Sequence, residues 1–149
     1  MEAIIFIGIQ GAGKSTFYRE RFFDTHIRIN LDMLKTRRRE EILVAACLQS
    51  GQDFVVDNTN LLVSDRQRYI EPAQAAGFRV VAYFFKTNLR EAMQRNNQRA
   101  GKQNIPAPAV AAAFKKLVPP SANEGFDEIY SVALTADRGF ATTVAFPKR

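Results

Sequence analysis

The chain has 149 residues, of which 46% are hydrophobic, and this predicts a single folded domain and excludes intrinsic disorder. The net charge of +6 favours an anionic partner, which could be nucleic acid, a nucleotide or a membrane surface. A single cysteine, Cys47, excludes an internal disulfide, and with the single histidine, His26, it cannot form a zinc site alone.

The N-terminal segment MEAIIFIGIQ is apolar but does not have the pattern of a signal peptide. It begins with Glu2 rather than a basic run, and it lacks a small-residue cleavage site. No stretch of the sequence is long and apolar enough to cross a bilayer. We therefore expect a cytoplasmic protein with no membrane partner, and the sequence identifies no protein partner.

Strand-like and helix-like segments alternate from the N-terminus onwards. The β-branched apolar run AIIFIG predicts a strand covered on both faces, and a helix is expected from Lys14 to about Phe23. HIRIN predicts a second short strand, followed by one long helix from Asp32 to Ser50. DFVVDNTN predicts a third strand that runs into a turn.

The same alternation continues in the second half of the chain. A helix should begin near Ser64 and Asp65, which are candidate N-caps, and end at Gly77. The remaining predicted elements are, in chain order, a strand at FRVVAYFF, helices at about 88–99 and 106–117, a core strand at EIYSVAL and an edge strand at FATTVAF.

Strands separated by helices predict a three-layer α/β fold over residues 1–149, with a mainly parallel sheet and helices on both faces. Ligands of such sheets bind at the carboxyl ends of the strands. Gly8, Asn30 and Asp57 all stand at predicted strand ends. The polar residues around them are therefore expected to meet at one rim.

The segment GIQGAGKST matches the pattern G-x-x-x-x-G-K-[ST] of a phosphate-binding loop, after a strand and before a helix. Its glycines allow backbone amides to surround phosphate oxygens, and the helix N-terminus adds a favourable dipole. We predict that Lys14 reaches the β- and γ-phosphates and that the Ser15 hydroxyl ligates Mg²⁺. The residues predicted to bind the nucleotide are Gly11, Ala12, Gly13, Lys14, Ser15 and Thr16.

Two aspartates follow predicted strands, and each has two interpretations. Asp32 in INLDMLK could orient an attacking hydroxyl and accept its proton, or it could cap a helix. Asp57 in VVDNTN could orient the waters on Mg²⁺, or it could form a turn, and the apolar run before it favours the first role. Lys35, one helical turn after Asp32, could meet an acceptor phosphate or be solvated.

Two basic segments also have open interpretations. Arg95 and Arg99 are spaced i, i+4 in RNNQRAGKQNIP, which suits either a lid over a triphosphate, at about 88–117, or a solvated helix face. Lys102 would extend that face. The run at 37–39 is three arginines that could contact a nucleic-acid backbone or pair with the two glutamates that follow.

Together these segments resemble the 5′-hydroxyl polynucleotide kinase family, within the P-loop kinases of bacteria, phages and nucleic-acid repair enzymes. The resemblance covers roughly residues 1–130. It rests on five segments in the same order: GIQGAGKST, INLDMLK, VVDNTNLLVSDRQRY, RNNQRAGKQNIP and PPSANEGFDEIY. The loop alone indicates nucleotide binding, whereas the ordered set is specific for this kinase branch.

The resemblance implies a P-loop kinase fold with a helical lid and transfer of a phosphoryl group from ATP, with Mg²⁺, to the 5′-hydroxyl end of DNA or RNA. It makes Asp32 the general base and Arg99 the lid arginine on the transferred phosphate, with Arg95 as its partner. Lys35 matches an arginine of the phage enzyme that touches the acceptor phosphate. The implied acceptor-binding residues are Lys35, Asp57 and Thr59.

Two other functions share parts of this pattern. A small-molecule kinase acting on a nucleoside, a sugar acid or a UDP-sugar would use the same loop, aspartate and lid but would need no basic groove. A regulatory NTPase would hydrolyse ATP slowly, without an acceptor and without a strict requirement for Asp32.

Overall fold

The computed structural model describes residues 1–99, 101, 104–137 and 139–147. Within these ranges six strands form one sheet in the order β2-β3-β1-β4-β5-β6. The strands are β1 Glu2–Ile7, β2 Ile27–Ile29, β3 Phe54–Val56, β4 Arg79–Phe85, β5 Glu128–Leu134 and β6 Phe140–Phe146. The first five strands are parallel, and β6 runs antiparallel to β5 at the edge.

In the described part of the chain, six α-helices lie between the strands. They are α1 Lys14–Arg21, α2 Leu31–Leu34, α3 Arg37–Ser50, α4 Val63–Ala75, α5 Leu89–Asn97 and α6 Ala107–Lys116. The predicted alternation of strands and helices is therefore confirmed. Residues 100, 102 and 103 of the predicted lid, including Lys102, lie outside the described residues.

The centre of the sheet is strand β1, which is buried on both faces. Ile5 and Ile7 belong to one core cluster with residues of α3 and α4, whereas Ile4 and Phe6 belong to a second cluster with residues of α1. Cys47 lies in the first cluster and is 3% exposed. The two clusters give the chain the predicted three layers, with the sheet in the middle.

The long helix predicted from Asp32 to Ser50 is wrong, because the chain forms two helices there. Lys35 has φ +76°, a left-handed conformation that interrupts the helix after α2. The Thr36 hydroxyl then caps α3 by accepting a hydrogen bond from the Arg39 backbone N–H at 3.2 Å. The break leaves α2 as a separate short helix directly after β2.

The start of α4 also differs from the prediction. The helix begins at Val63, and Ser64 is inside it rather than at its cap. Asp65 does support the first turn, because its carboxylate accepts a hydrogen bond from the backbone N–H of Leu62 at 3.1 Å.

A buried ion pair explains the segment PPSANEGFDEIY, which contains no phosphate-binding chemistry. Arg66 of α4 is completely buried and donates through Nη1 to both carboxylate oxygens of Glu124, each at 3.0 Å. Its Nε donates to the Asn60 carbonyl at 2.9 Å, and its Nη2 donates to the carbonyls of Leu61 and Val118. One guanidinium thus joins α4, the turn after β3, the end of α6 and the segment before β5.

Within the ranges that the structure describes, no helix combines the length and the apolar character needed to cross a bilayer.

We predict that Glu124→Ala lowers the free energy of unfolding by about 3–5 kcal/mol, because it leaves the buried Arg66 guanidinium without its charge partner. Urea denaturation measures this change. Glu41→Ala, at an exposed glutamate of α3, is the control and should change stability by less than about 0.5 kcal/mol. Equal losses in the two variants would contradict the importance of the buried pair.

Candidate functional site

The phosphate-binding loop leaves β1 and is fastened to the turn after β3. The Gly8 backbone N–H donates to the Thr59 carbonyl at 3.0 Å, and the Asn60 side-chain amide donates to the Phe6 carbonyl at 2.8 Å. Asn60 has φ +48°, a conformation that asparagine tolerates better than most residues. The turn at residues 57–60, which follows β3 and includes Thr59, therefore holds the base of the loop.

The glycines of the loop leave space for neighbouring elements to pack against the loop backbone. Gly11 has φ +81°, and a Cβ there would lie 2.2 Å from the Ala92 carbonyl oxygen of α5. Gly13 has φ +94°, and a Cβ there would lie 3.1 Å from the ring of Phe140 in β6. Ala12, between them, is also buried. Helix α5 and strand β6 can therefore contact the loop backbone directly.

Lys14 is buried at the start of α1 and bonds to the loop itself. Its Nζ donates to the carbonyls of Gly8 and Ile9 at 2.9 and 2.8 Å. Burial lowers the pKa of Lys14 from 10.5 to about 8. The negative charge of Asp57 opposes this change in pKa.

Three of the predicted site residues lie near enough to Lys14 to affect the pKa of its ammonium group. Asp57 and Asp32 both raise the pKa of its ammonium group, whereas Arg99 lowers it. These three residues come from the end of β3, from α2 and from the segment after α5. The Asn30 amide donates to the Asp57 carbonyl and the Gly8 N–H donates to the Thr59 carbonyl, so the strand ends predicted to meet at one rim do lie together.

A three-residue arrangement of Ser15, Asp57 and Arg28 lies beside the lysine. The Ser15 hydroxyl donates to Asp57 Oδ2 at 3.0 Å. Arg28 donates from Nε to the same oxygen at 2.9 Å and from Nη2 to Ser15 Oγ at 3.0 Å. Sequence reasoning missed Arg28, although strand alternation in HIRIN places it on the sheet face opposite the buried Ile29.

Ser15 and Asp57 provide a donor set that fits Mg²⁺. A hydroxyl and a carboxylate are the hard oxygen ligands that this ion prefers, and Mg²⁺ at phosphates usually takes only one or two ligands from the protein. The described part of the chain contains no group of three or more His, Cys, Asp or Glu residues that could hold a metal without a nucleotide. Thr16, the last residue of the loop motif, is exposed.

Asp32 is exposed on α2, whose backbone is fixed by two asparagines. Asn30 caps the helix by accepting from the Met33 N–H at 2.9 Å, and its amide donates to the Asp57 carbonyl at 2.6 Å. The Asn58 side-chain oxygen Oδ1 accepts from the Leu31 N–H at 2.9 Å. The cap is therefore Asn30, and the interpretation of Asp32 as the cap is wrong.

Behind α2 a buried carboxylate holds Asn58 in place. Glu40 is 1% exposed and accepts hydrogen bonds from Tyr69 Oη at 2.7 Å, Arg37 Nη1 at 2.8 Å and Asn58 Nδ2 at 3.0 Å. Burial, together with Glu40, raises the pKa of Tyr69 to about 12. Glu40 is thus an interior residue and not one of a pair on the helix surface, and it was missed because its neighbours in sequence are charged.

The arginines at 37–39 have different environments. Arg37 pairs with the buried Glu40, and Arg39 donates to the Leu34 carbonyl at 3.1 Å. Arg38 is exposed, as is Lys35 at the end of α2. Of the two interpretations of residues 37–39, contact with nucleic acid or pairing with a glutamate, the second is therefore correct for Arg37.

The lid helices α5 and α6 pack on the loop through apolar contacts. Ile9, Ala92, Val110 and Ala113 form a small buried cluster. Arg95 Nη1 donates to the Gly11 carbonyl at 2.9 Å, which places this arginine on the loop. The helical part of the predicted lid is confirmed.

The turn between the lid helices begins beside Arg99. The buried Asn96 side chain accepts from the Ile105 N–H at 2.8 Å and donates back to the Ile105 carbonyl. Arg99 follows the end of α5, and its backbone N–H donates to the Asn96 carbonyl at 3.1 Å. Asn96 thus joins the end of α5 to the segment before α6. It also holds the backbone of Arg99, which lies near enough to Lys14 to lower the pKa of the lysine.

Comparison with known proteins gives one matching family and two curated relatives. A family model described as an AAA domain matches residues 4–118. An Acanthamoeba polyphaga mimivirus protein named as a bifunctional polynucleotide phosphatase/kinase is 31% identical over 144 residues, 92% of this chain and 34% of that protein. A bifunctional polynucleotide phosphatase/kinase of Schizosaccharomyces pombe is 23% identical over 148 residues, 95% of this chain and 36% of that protein.

The chain spans about a third of the length of these curated relatives. Among solved structures, a gluconokinase from Sinorhizobium meliloti 1021 superposes with a TM-score of 0.61 at 19% identity, covering 89% of this chain and 82% of that one. The predicted resemblance and the P-loop kinase fold are confirmed by these matches.

We predict that the stability of the wild type rises relative to Lys14→Met between about pH 8 and pH 10.5. In this window the unfolded chain binds more protons than the folded chain, because the folded pKa of Lys14 is depressed. The difference of about 2.5 pKa units corresponds to roughly 3 kcal/mol. Urea unfolding of both proteins across the window tests this, and a stability difference that does not depend on pH would contradict it.

Proposed function

This chain belongs to the AAA domain family and has the P-loop kinase fold, and we propose that it transfers the γ-phosphoryl group of ATP to the 5′-hydroxyl end of DNA or RNA. The observation that carries this proposal is that an exposed carboxylate, Asp32, and an arginine, Arg99, both lie near enough to the buried Lys14 to affect its pKa. A nucleotide switch needs the loop and its lysine, but it does not need an exposed carboxylate fixed beside them. A phosphotransferase needs all three groups.

The loop would hold the donor nucleotide through its amides and Lys14. The Lys14 ammonium now bonds to two loop carbonyls, and phosphate oxygens would take over those bonds with a stronger charge interaction. Mg²⁺, when bound, supplies positive charge to the β- and γ-phosphates, and Ser15 and Asp57 are the residues that would hold it.

Asp32 would orient the acceptor hydroxyl and accept its proton. The carboxylate is exposed, and hydrogen bonds from the described residues fix the backbone of α2 on both sides of it through Asn30 and Asn58. This combination leaves the carboxylate available to a substrate while restricting its position. Lys35 and Thr59, beside α2 and at the turn after β3, are the nearby groups proposed to contact the acceptor.

Arg99 and Arg95 would stabilise the charge on the transferred phosphoryl group. Arg95 is already placed on the loop by its bond to Gly11, and Arg99 lies where its charge is felt by Lys14. Fixed cations at the position where charge develops lower the barrier without further reorganisation.

The nucleic-acid acceptor is supported by the names of the two curated relatives and by the basic character of the chain. One observation favours a small-molecule acceptor instead. Arg37, in the densest basic cluster, pairs with Glu40 through Nη1, so this part of its guanidinium is not available to a phosphate backbone. The cytoplasmic location expected from the sequence stays a prediction.

We expect γ-labelled ATP to label 5′-hydroxyl oligonucleotides when it is incubated with this protein and Mg²⁺. Parallel reactions should contain 5′-phosphorylated oligonucleotides as the matched control, and a nucleoside, gluconate or a UDP-sugar as alternative acceptors. Thin-layer and gel separation measure the labelled products. Label on a small molecule alone would reject the polynucleotide acceptor, and label released only as phosphate would favour the regulatory NTPase.

We predict that Asp32→Asn lowers the turnover number for transfer by about 10²–10⁴-fold, because the amide cannot accept the proton of the hydroxyl. The affinity for a fluorescent ADP analogue should stay within about twofold, since Asp32 is not assigned to the donor. Asp24→Asn, at an exposed aspartate outside the site, is the control. Full activity of Asp32→Asn would remove this residue from the mechanism.

A further inference from the structure

Arg28 occupies a position that the proposed function does not use. Its guanidinium contacts both residues of the proposed Mg²⁺ site, with Nε 2.9 Å from Asp57 Oδ2 and Nη2 3.0 Å from Ser15 Oγ. The positively charged guanidinium of Arg28 is thus in contact with the two oxygens that are expected to bind Mg²⁺.

The hydrogen-bond inventory shows how fully these oxygens are engaged. A serine hydroxyl has one hydrogen and two lone pairs. The Ser15 hydrogen is directed to Asp57 Oδ2, and one of its lone pairs accepts from Arg28. Oδ2 of Asp57 accepts from both Ser15 and Arg28. A metal ion that binds Ser15 therefore meets an oxygen already committed to a cation.

The charges around Asp57 also oppose the binding of a divalent cation in the absence of a nucleotide. Its side chain is 2% exposed, so the carboxylate depends on a nearby cation, and Arg28 is its ion-pair partner. A divalent ion placed at the same oxygens would be repelled by the guanidinium, since like charges at contact distance interact strongly away from bulk water. Bound nucleotide phosphates would offset that repulsion.

Arg28 also has room to move, in contrast to the structural Arg66. The Arg66 side chain is completely buried, and its nitrogens donate to one carboxylate and three backbone carbonyls. The Arg28 side chain is 28% exposed and contacts only Asp57 and Ser15 through its hydrogen bonds to described residues. It can leave the pair without unfolding the sheet.

We propose that Arg28 is a built-in counter-cation of the Ser15–Asp57 pair, which opposes divalent cation binding to the nucleotide-free protein and gives way when Mg²⁺ arrives with a nucleotide. This inference rests on the nucleotide and Mg²⁺ site of the proposed function but not on its acceptor. Arg28 thereby determines how much bound Mg²⁺ increases the affinity for the nucleotide and how much bound nucleotide increases the affinity for Mg²⁺.

The test is the coupling between Mg²⁺ and a fluorescent ADP analogue, measured as the ratio of its Kd in EDTA to its Kd in saturating Mg²⁺. Arg28→Met removes the charge and keeps much of the side-chain length. In EDTA the neutral variant lacks a cation near the phosphates, so its Kd for the nucleotide should rise. In Mg²⁺ it lacks the charge that competes with the metal, so its Kd should fall. We expect its ratio to exceed that of the wild type by about tenfold or more.

Two variants control for charge and for fold. Arg28→Lys keeps the positive charge, and its ratio should stay within about threefold of the wild type. Arg79→Met makes the same change in net charge at a half-exposed residue of β4, and it should leave the ratio unchanged. A ratio for Arg28→Met equal to that of Arg79→Met would overturn the proposal, as would an Arg28→Lys ratio equal to that of Arg28→Met.

A second test uses only the wild-type protein, so it does not depend on whether a variant folds. Electron paramagnetic resonance of Mn²⁺ should show no saturable binding to the nucleotide-free protein below about millimolar concentration and tight binding once ADP is added. Saturable micromolar binding without nucleotide would overturn the proposal. None of these measurements uses an acceptor, so a failure to phosphorylate 5′-hydroxyl ends would reject the proposed acceptor and leave this inference standing.

Discussion

A carboxylate inside a protein must have a partner, because an isolated buried charge is far too costly to keep. Among the residues that the structure describes, three carboxylates are buried, and each is paired with an arginine: Asp57 with Arg28, Glu40 with Arg37 and Glu124 with Arg66. All three pairs lie around the carboxyl ends of the strands or directly behind them. The positions of the loop, of α2 and of the lid depend on these pairs.

The three pairs serve different parts of the same rim. Glu40 fixes Asn58 and through it the backbone of α2, whereas Arg66 joins the turn after β3 to the end of α6. Asp57 lies between them, next to the loop serine. Asp32 and Asp57 are therefore carried by short segments that buried polar contacts hold, whereas the lid helices also pack on the loop through apolar side chains.

The sequence was sufficient to predict the alternating architecture, because buried parallel strands and a phosphate-binding loop have strong local patterns. It was also sufficient to place Asp32 and Asp57 at strand ends. It failed where long-range packing decided the outcome. The interruption at Lys35 depends on one backbone angle, and the burial of Glu40 and the direction of Arg28 depend on residues far away in the chain. The charged neighbours of Glu40 suggested a position on the helix surface, and nothing in the local sequence singled out Arg28.

The left-handed backbone of Lys35 has a consequence for engineering. A lysine with φ +76° is strained by about 1 kcal/mol or more, whereas glycine adopts this angle freely. Selection for thermal stability alone would therefore replace Lys35, and it would remove the cation next to α2 in doing so. A library screened only for heat resistance is expected to lose the lysine that we propose to contact the acceptor, and position 35 should be held fixed in any such screen.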